Sequence, residues 1–85
     1  MKKSKLLKKV LAGWRNTRFS DAKLLAESFG FSQVRVSGSH HIFGHAGIQE
    51  LVNLQNVGGK AKPYQIKQLL RLVERYDLKQ EEDDE

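Results

Sequence analysis

Apolar residues change their spacing twice along this chain, and that change limits the fold more than any other feature. Leu25 and Phe29 repeat at the interval of a helix, whereas Val34 and Val36 alternate with polar residues as in a half-buried strand. Helical spacing returns after Pro63. A chain that carries both periods, with its strands placed between its helices, is expected to fold as an α+β domain.

Three segments predict helices. The first runs from Ser4 to Trp14, and the second begins at Ser20, whose hydroxyl is expected to cap free backbone amides, and ends at Gly30. The third opens at Pro63, because proline in the first helical turn loses no hydrogen bond. The predicted apolar stripes are, in order, Leu7, Val10, Leu11 and Trp14; Ala22, Leu25, Ala26 and Phe29; and Ile66, Leu69, Leu70 and Val73.

The middle of the chain predicts a three-stranded antiparallel sheet. A tight turn is expected at Gly38 and Ser39, and a mobile basic loop over residues 58–62. The α-β-β-β-α order, preceded by one extra helix, predicts two helices on one face of the sheet and a second face open to solvent. The strands are expected over residues 31–37, 40–45 and 50–54, with Val34 and Val36 on one face of the first strand and Gln33 and Arg35 on the other.

Composition narrows the class of protein. The chain has 85 residues and no cysteine, so we expect one domain, residues 1–79, that is held together by its core and contains no disulfide or thiolate zinc site. No apolar run approaches the ~20 residues of a membrane helix. The lysines near the N-terminus interrupt any signal-peptide core, so the expected location is the cytoplasm.

Charge is distributed unevenly along the chain. All 15 lysines and arginines lie within residues 1–79, whereas half of the 10 acidic residues lie in the tail that closes the chain. A basic body suits a polyanion, because neutralising phosphates releases their counterions. We therefore expect nucleic acid as the partner, and we expect the acidic tail, residues 80–85, to be disordered because like charges repel.

Residues 38–45, Gly-Ser-His-His-Ile-Phe-Gly-His, contain all three histidines of the chain. Histidine takes and gives a proton near neutral pH, so a histidine beside a turn on a basic surface is suited to act on a phosphate backbone. Strand alternation places His40 and Ile42 on the face opposite Phe43. It places His41 and His45 on the same face as Phe43, where we expect them to pack.

These eight residues resemble the signature of the HicA family, which are small toxins of type II toxin–antitoxin systems that cleave mRNA and adopt a double-stranded-RNA-binding-domain-like fold. The family pattern has Gly-Ser-His, a phenylalanine three residues after that histidine and a second histidine two residues further on. Here these fall on His40, Phe43 and His45. The run Gly-Gly-Lys-Ala-Lys-Pro-Tyr is also similar to a branch of the family. The match covers about residues 19–78 and leaves residues 1–18 as an N-terminal extension.

The resemblance implies that His40 is the general base of an endoribonuclease. RNA carries its own nucleophile, the 2′-hydroxyl beside each phosphate, so neither a metal ion nor another cofactor is required. Arg35, on the adjacent strand, is the candidate for stabilising the charge that develops on the phosphate. Supporting contacts to RNA are expected from the turn and from a basic cluster, namely Gly38, Ser39, Lys60, Lys62 and Lys67.

Two other interpretations follow from the residues. A metal-dependent nuclease is less consistent with them, because Asp21, Glu27 and Glu50 lie on different elements without paired spacing. A second alternative is an RNA-binding module without catalysis. His40 in its Gly-Ser-His context favours the catalytic interpretation, because RNA binding alone does not require a histidine there. The expected partners are mRNA and, by the resemblance, a HicB-type antitoxin that buries His40.

Overall fold

The computed structural model describes residues 2–81 and shows an α+β fold. A short 3₁₀ helix, Trp14–Asn16, lies between the first two α-helices. The α-helices are α1 (Lys3–Ala12), α2 (Phe19–Ser28) and α3 (Pro63–Arg75). The strands are β1 (Ser32–Ser37), β2 (His40–His45), β3 (Ile48–Val57) and β4 (Lys60–Ala61).

The sheet has four antiparallel strands in the order β1-β2-β3-β4, so the prediction of three strands is wrong. Gly58 and Gly59 both have positive φ, 60° and 86°. A two-residue hairpin turn requires this geometry at both positions, and glycine adopts it without steric cost. The chain therefore returns along β3, and residues 60–61 form β4 where the sequence predicted a mobile loop.

The connector before α2 covers the free edge of β4. The Ala61 amide donates a hydrogen bond to the carbonyl of Thr17 (3.0 Å), and the Phe19 amide donates to the carbonyl of Gly59 (2.9 Å). This pairing keeps Arg18 extended, and α2 starts at Phe19 without a side-chain cap. The predicted start at Ser20 with a capping hydroxyl is thus wrong, because the carbonyl of Arg18 already accepts a helical hydrogen bond from the amide of Ala22 (3.0 Å) and Ser20 lies inside the first turn.

The core lies between the helices and one face of the sheet, which we call the inner face. Phe43, Val52 and Leu54 of the sheet are fully buried against side chains from α2 and α3. Each large side chain buried in this way contributes ~1.5–3 kcal/mol. The predicted packing of two helices on one sheet face is confirmed, and the helical residues involved include Ala22, Leu25, Ala26, Phe29, Ile66 and Leu69.

The first helix packs with a face different from the predicted one. Leu6 and Val10 are buried, whereas Leu11 is 53% exposed. The helix ends at Ala12, and Trp14 belongs to the 3₁₀ helix that follows. The reason is that α1 packs against α2 through Leu6 and Val10, which are one turn apart. In α3 the buried face likewise centres on Ile66, Leu69 and Leu72, and Leu70 and Val73 are only partly buried.

A β-bulge changes the expected faces of β1. The pairing of β1 with β2 shifts by one residue between Gln33 and Arg35. Gln33 pairs with Phe43 on the inner face, whereas Val34 and Arg35 both lie on the opposite, outer face. Val34 and Val36 therefore do not share a face, contrary to the simple alternation. A bulge inserts one residue into a strand and re-aims the side chains that follow.

The chain after α3 returns to the start of the molecule. The amide of Glu81 donates to the carbonyl of Ser28 (2.8 Å), and the side chain of Gln80 donates to the carbonyl of Lys3 (2.9 Å). Residues 82–85, which make up most of the predicted disordered tail, lie outside the described residues. Among residues 2–81, no helix has the length and apolar character needed to span a membrane.

Candidate functional site

The outer face of the sheet carries the residues that the sequence singled out. Residues paired across antiparallel strands share a face. His40 pairs with Ser37 on one side and with Gln55 on the other, and Ile42 pairs with Arg35 and Asn53. The paired neighbours of His40 and Ile42 therefore form two rows across β1, β2 and β3. Because Phe43 is buried on the inner face, both rows lie on the face away from the helices.

His40 is exposed and contacts Asn53 diagonally across β2 and β3. Its Nδ1 lies 3.3 Å from Oδ1 and 3.0 Å from Nδ2 of the Asn53 amide. When Nδ1 carries the proton and donates to Oδ1, the Nε2 lone pair is able to act as a base. When the amide nitrogen donates to Nδ1, Nε2 carries the proton instead. Asn53 thus holds the ring in place in either tautomer.

The turn before His40 is fixed by a chain of hydrogen bonds that begins in α3. The side chain of Gln65 is buried, and its Oε1 accepts a hydrogen bond from the backbone amide of Gln55 (2.6 Å). This contact gives the Gln55 amide a hydrogen-bond partner at the edge of β3, just beyond the end of the two-residue β4. The side chain of Gln55 donates in turn to Oγ of Ser39 (3.3 Å), and the amide of Asn56 donates to the Ser39 carbonyl (2.9 Å).

Ser39 therefore has a structural role in the turn, and its hydroxyl proton is still able to bind a phosphate oxygen. Gly38 has a φ of 59° and no atom within 4 Å of the position where a Cβ would lie. Glycine at this position suits the left-handed backbone conformation of the turn and leaves open space beside His40.

Two cations lie on the outer face with His40. Arg35 is exposed and lies opposite Ile42, diagonal to His40 on the adjacent strand. Asn56 pairs with Ala61, so Lys62, the next residue in an extended backbone, continues the row of His40 and Gln55. Arg35 and Lys62 therefore flank His40, one on the β1 side and the other on the β4 side.

The other two predicted lysines have partners outside the site. Lys60 pairs with Val57 and so starts from the outer face, but its side chain runs to the edge of the sheet. The ammonium of Lys60 donates a hydrogen bond to Oδ1 of Asn16, which ties it to the connector before α2. Lys67 lies on α3, on the helix side of the sheet, with its ammonium 5.2 Å from the centre of the Trp14 ring. The structure thus brings Arg35 and Lys62 to the face of His40 and separates Lys67 from it.

The two remaining histidines pack on the inner face, as their alternation predicted. The ring of His41 lies 4.6 Å from that of Phe19, and its Nδ1 is 2.9 Å from Oε1 of Gln33. The ring of His45 packs edge-on against Phe31 at 5.2 Å, and its Nδ1 accepts a hydrogen bond from the amide of Gly47 (2.9 Å). Both side chains have structural partners, and only His40 faces outward.

Acidic side chains are absent from the outer face of strands β1–β4. The sole acidic residue in these strands is Glu50, which lies on the inner side, where both of its carboxylate oxygens accept from the hydroxyl of Tyr76 at 2.7 Å. This hydrogen bond, together with the nearby Arg75, holds the pKa of Glu50 below its ordinary value of 4.5. Strands β1–β4 therefore present positive charge on the outer face and no carboxylate of their own, which favours an anionic ligand.

The outer face is apolar around Gly44, at the end away from the turn that precedes His40. A Cβ placed on Gly44 would lie 3.4 Å from the side chain of Leu51 and 3.5 Å from that of Val34, so these two side chains close over the glycine. Leu51 is 55% exposed and Val34 is 60% exposed. With Ile42, they form an apolar surface beside the polar row of His40.

Sequence reasoning did not identify Asn53, Gln55 or Gln65 as part of the site. Asn53 lies 13 residues from His40 in the sequence and reaches it only through the register of β2 on β3. An asparagine and a glutamine at alternating positions of a strand are the available signal, because polar residues on one face of a strand mark a surface that is not core. The contact of Asn53 with His40 could be found only from the pairing of β2 with β3.

The described residues contain no group of three or more His, Cys, Asp and Glu side chains placed to bind a metal ion. The chain matches no protein-family model, no curated protein and no solved structure.

Proposed function

We propose that this protein is a metal-independent endoribonuclease whose general base is His40. The observation that carries the proposal is that His40 is exposed, oriented by Asn53 and placed between Arg35 and Lys62 on a face to which strands β1–β4 contribute no carboxylate. In RNA the 2′-hydroxyl and the phosphate are parts of one molecule. The protein therefore has to supply only a base, a charge clamp and a fixed geometry.

The reaction proceeds by in-line attack within the RNA. Nε2 of His40 takes the proton of the 2′-hydroxyl, the O2′–P bond forms, and the P–O5′ bond breaks. The departing 5′-oxygen takes a proton from solvent, which leaves a 2′,3′-cyclic phosphate on one product and a 5′-hydroxyl on the other. Arg35 and Lys62 stabilise the extra negative charge on the phosphorane oxygens. The tautomer that acts as the base is the one in which Nδ1–H donates to Oδ1 of Asn53, because it leaves Nε2 unprotonated.

The cellular role follows from the resemblance of residues 38–45 to the HicA signature. We propose that the protein is the toxin of a toxin–antitoxin pair, that it cleaves mRNA, and that a HicB-type antitoxin covers His40. The order α2-β1-β2-β3-α3 supports the further proposal of a double-stranded-RNA-binding-domain-like fold, with β4 added between β3 and α3.

The experiment compares His40→Ala with His41→Ala on a fluorescent single-stranded RNA in the presence of a chelator. We expect His40→Ala to lose ~10²–10⁴-fold in cleavage rate, because only proton transfer is removed, and to retain its fold and RNA affinity. His41→Ala removes the contact with Phe19 on the inner face and should keep most activity when both proteins are assayed below their melting temperatures.

Two further results would distinguish the alternatives. A single 2′-deoxy nucleotide at the cleavage position should block the wild-type enzyme there, because the nucleophile is missing. An active His40→Ala variant would refute the assignment of the base. Wild-type protein that binds the RNA but leaves it intact, and that does not arrest growth when expressed alone, would favour the RNA-binding module.

A further inference from the structure

An apolar groove lies on the helix side of the molecule, between α1 and α3. Helix α1 packs on α2, whereas α3 packs on β3 and on the 3₁₀ helix, so the two helices leave a gap of about 620 Å³. Phe29 lies at its base. The other apolar residues that line the groove are Leu7 and Leu11 of α1, Leu70 and Val73 of α3, and Trp14.

These side chains do not complete the core. Leu11 is 53% exposed, and Leu7, Trp14, Leu70 and Val73 are only partly buried. Leu7 and Leu11 stand one turn apart on α1, and Leu70 and Val73 do so on α3, so each helix contributes an apolar ridge to the gap. Contiguous exposed apolar surface of this kind in a small domain marks an interaction site.

The rim of the groove is basic. Lys67 and Arg71 line it on α3, together with one acid, Glu74. The guanidinium of Arg15 lies 4.6 Å from the centre of the Trp14 ring, and the ammonium of Lys67 lies 5.2 Å from the same ring. An occupant must therefore combine apolar side chains for the walls with negative charge for the rim.

The segment that follows α3 does not offer such an occupant. Residues 79–85 contain no apolar side chain that could fill the groove. A second copy would present the exposed face of its own α1, which carries Lys5, Lys8 and Lys9 and would be repelled by the basic rim. Nucleic acid fits poorly as well, because its phosphates would lose water against leucine and phenylalanine side chains without gaining partners there.

We infer that the groove between α1 and α3 is a docking site for an acidic amphipathic helix of a partner protein. Leu7 and Leu11 lie four residues apart, or ~6 Å along the axis of α1, and Trp14 of the following 3₁₀ helix extends this wall, which suits a short occupant of about three turns. Its apolar residues would follow i, i+3, i+4 and i+7 spacing, with acidic residues toward Lys67 and Arg71. This site lies on the opposite side of the sheet from His40. Docking of a partner there does not depend on whether the protein cleaves RNA.

Trp14 is the only tryptophan in the chain, so its fluorescence reports occupancy of the groove. The probe is a synthetic peptide of about three helical turns with leucines at the spacing above and glutamates on the remaining face. A matched peptide carries lysines in place of the glutamates. We expect saturable changes in Trp14 emission with the acidic peptide and affinity at least ~10-fold weaker with the basic one, a difference of ~1.4 kcal/mol.

Substitutions of two leucines that are about equally exposed test where the peptide binds. Leu11→Asp puts a charge into the groove and should weaken acidic-peptide binding by ~10-fold or more. Leu24→Asp alters a leucine of nearly equal exposure, 54%, that faces away from the groove on α2 and should leave binding unchanged. The double variant Lys67→Glu and Arg71→Glu should reverse the preference toward the basic peptide.

Three outcomes would overturn the inference. The first is equal affinity for the two peptides, and the second is wild-type binding by Leu11→Asp when the circular dichroism of that variant is native. The third is a response of Trp14 to a single-stranded RNA oligomer but not to the acidic peptide, which would assign the groove to nucleic acid.

Discussion

At the scale of single residues, the main interaction of the proposed active site is that between His40 and Asn53. A histidine on a strand surface rotates freely unless a neighbour holds it, and a base must be held with its lone pair toward the substrate. The Asn53 amide is within hydrogen-bond distance of Nδ1, so Asn53 is a positioning residue that acts through His40. The same arrangement, a side chain that orients a histidine, recurs in enzymes with unrelated folds.

Asn53→Asp tests this role by its effect on pH dependence. The carboxylate has nearly the shape of the amide, but its negative charge stabilises the protonated imidazole, which is not a base. We expect the ascending limb of the kcat–pH profile to move to higher pH. Activity should therefore fall at neutral pH and recover in alkaline buffer.

Asn53→Leu is the matched control, because it removes the hydrogen bond without adding charge. Its kcat should be reduced at every pH, with no recovery in alkaline buffer. If Asn53→Asp had the wild-type profile and differed only in KM, the residue would act on RNA binding through charge, and its positioning role would be excluded.

At the scale of elements, α3 joins the core to the site. Its buried face holds Ile66 and Leu69 against the sheet, and its first turn supplies Gln65 to the edge of β3 beside the His40 turn. Leu69 is fully buried, whereas Leu70 is partly exposed in the groove between α1 and α3. The helical stripe predicted from sequence did not separate these two leucines.

Replacing Leu69 and Leu70 separately measures how much each side chain contributes to the free energy of unfolding. Leu69→Ala should lower the free energy of unfolding by ~2–5 kcal/mol, since it leaves a cavity in the core. For Leu70→Ala we expect less than half of that loss, because water already reaches part of the side chain. Urea unfolding followed by circular dichroism gives both values, and equal costs would show that the two helix faces are assigned incorrectly.

A second contact joins the C-terminal end of α3 to β3. The Tyr76 hydroxyl donates to the Glu50 carboxylate, which lowers the pKa of Glu50 and raises that of Tyr76 above its ordinary value of 10.0. A carboxyl with a lowered pKa in the folded state stabilises the fold above its ordinary pKa, and this contribution is lost as pH falls through the lowered value. The phenol contribution is lost at the alkaline end, as pH rises through the raised pKa of Tyr76.

Tyr76→Phe should therefore lower the melting temperature at neutral pH, and the difference from wild type should shrink as the pH falls below the ordinary value of 4.5 for Glu50. Tyr64→Phe is the control, since Tyr64 is 61% exposed and lies on the first turn of the same helix. A constant difference for Tyr76→Phe across the acidic range would mean that the hydrogen bond to Glu50 does not contribute.

Local patterns predicted the elements better than the contacts between them. The bounds of β2 and the start of α3 at Pro63 agree with prediction, because a turn, an alternation and a proline are each local signals. The bulge in β1 was not predictable, since one inserted residue leaves the composition of the strand unchanged. The pairing of His40 with Asn53 also depends on register, which is set by the burial of Phe43, Val52 and Leu54 together.

At the scale of the whole molecule, the sheet separates two basic surfaces. The outer face carries Arg35 and Lys62 beside His40, and the helix side carries Lys67 and Arg71 beside an apolar groove. A count of charges cannot distinguish them, because both contribute equally to the formal net charge of +5. The side chains around the cations distinguish the two surfaces. On the outer face the row of His40 is polar and hydrogen-bonded, whereas the cations on the helix side lie beside leucine, phenylalanine and tryptophan.

This separation predicts that two lysines differ in their effect on RNA binding. The affinity for single-stranded RNA should fall with salt, and each lost phosphate contact should reduce the log–log slope by ~0.7. Lys62→Ala should show that reduction, because Lys62 continues the row of His40 on the outer face. Lys67→Ala removes the same charge but lies over Trp14, and its slope should equal that of wild type. Fluorescence anisotropy over a salt series measures both slopes, and a reduced slope for Lys67→Ala with an unchanged one for Lys62→Ala would place RNA on the helix side of the molecule.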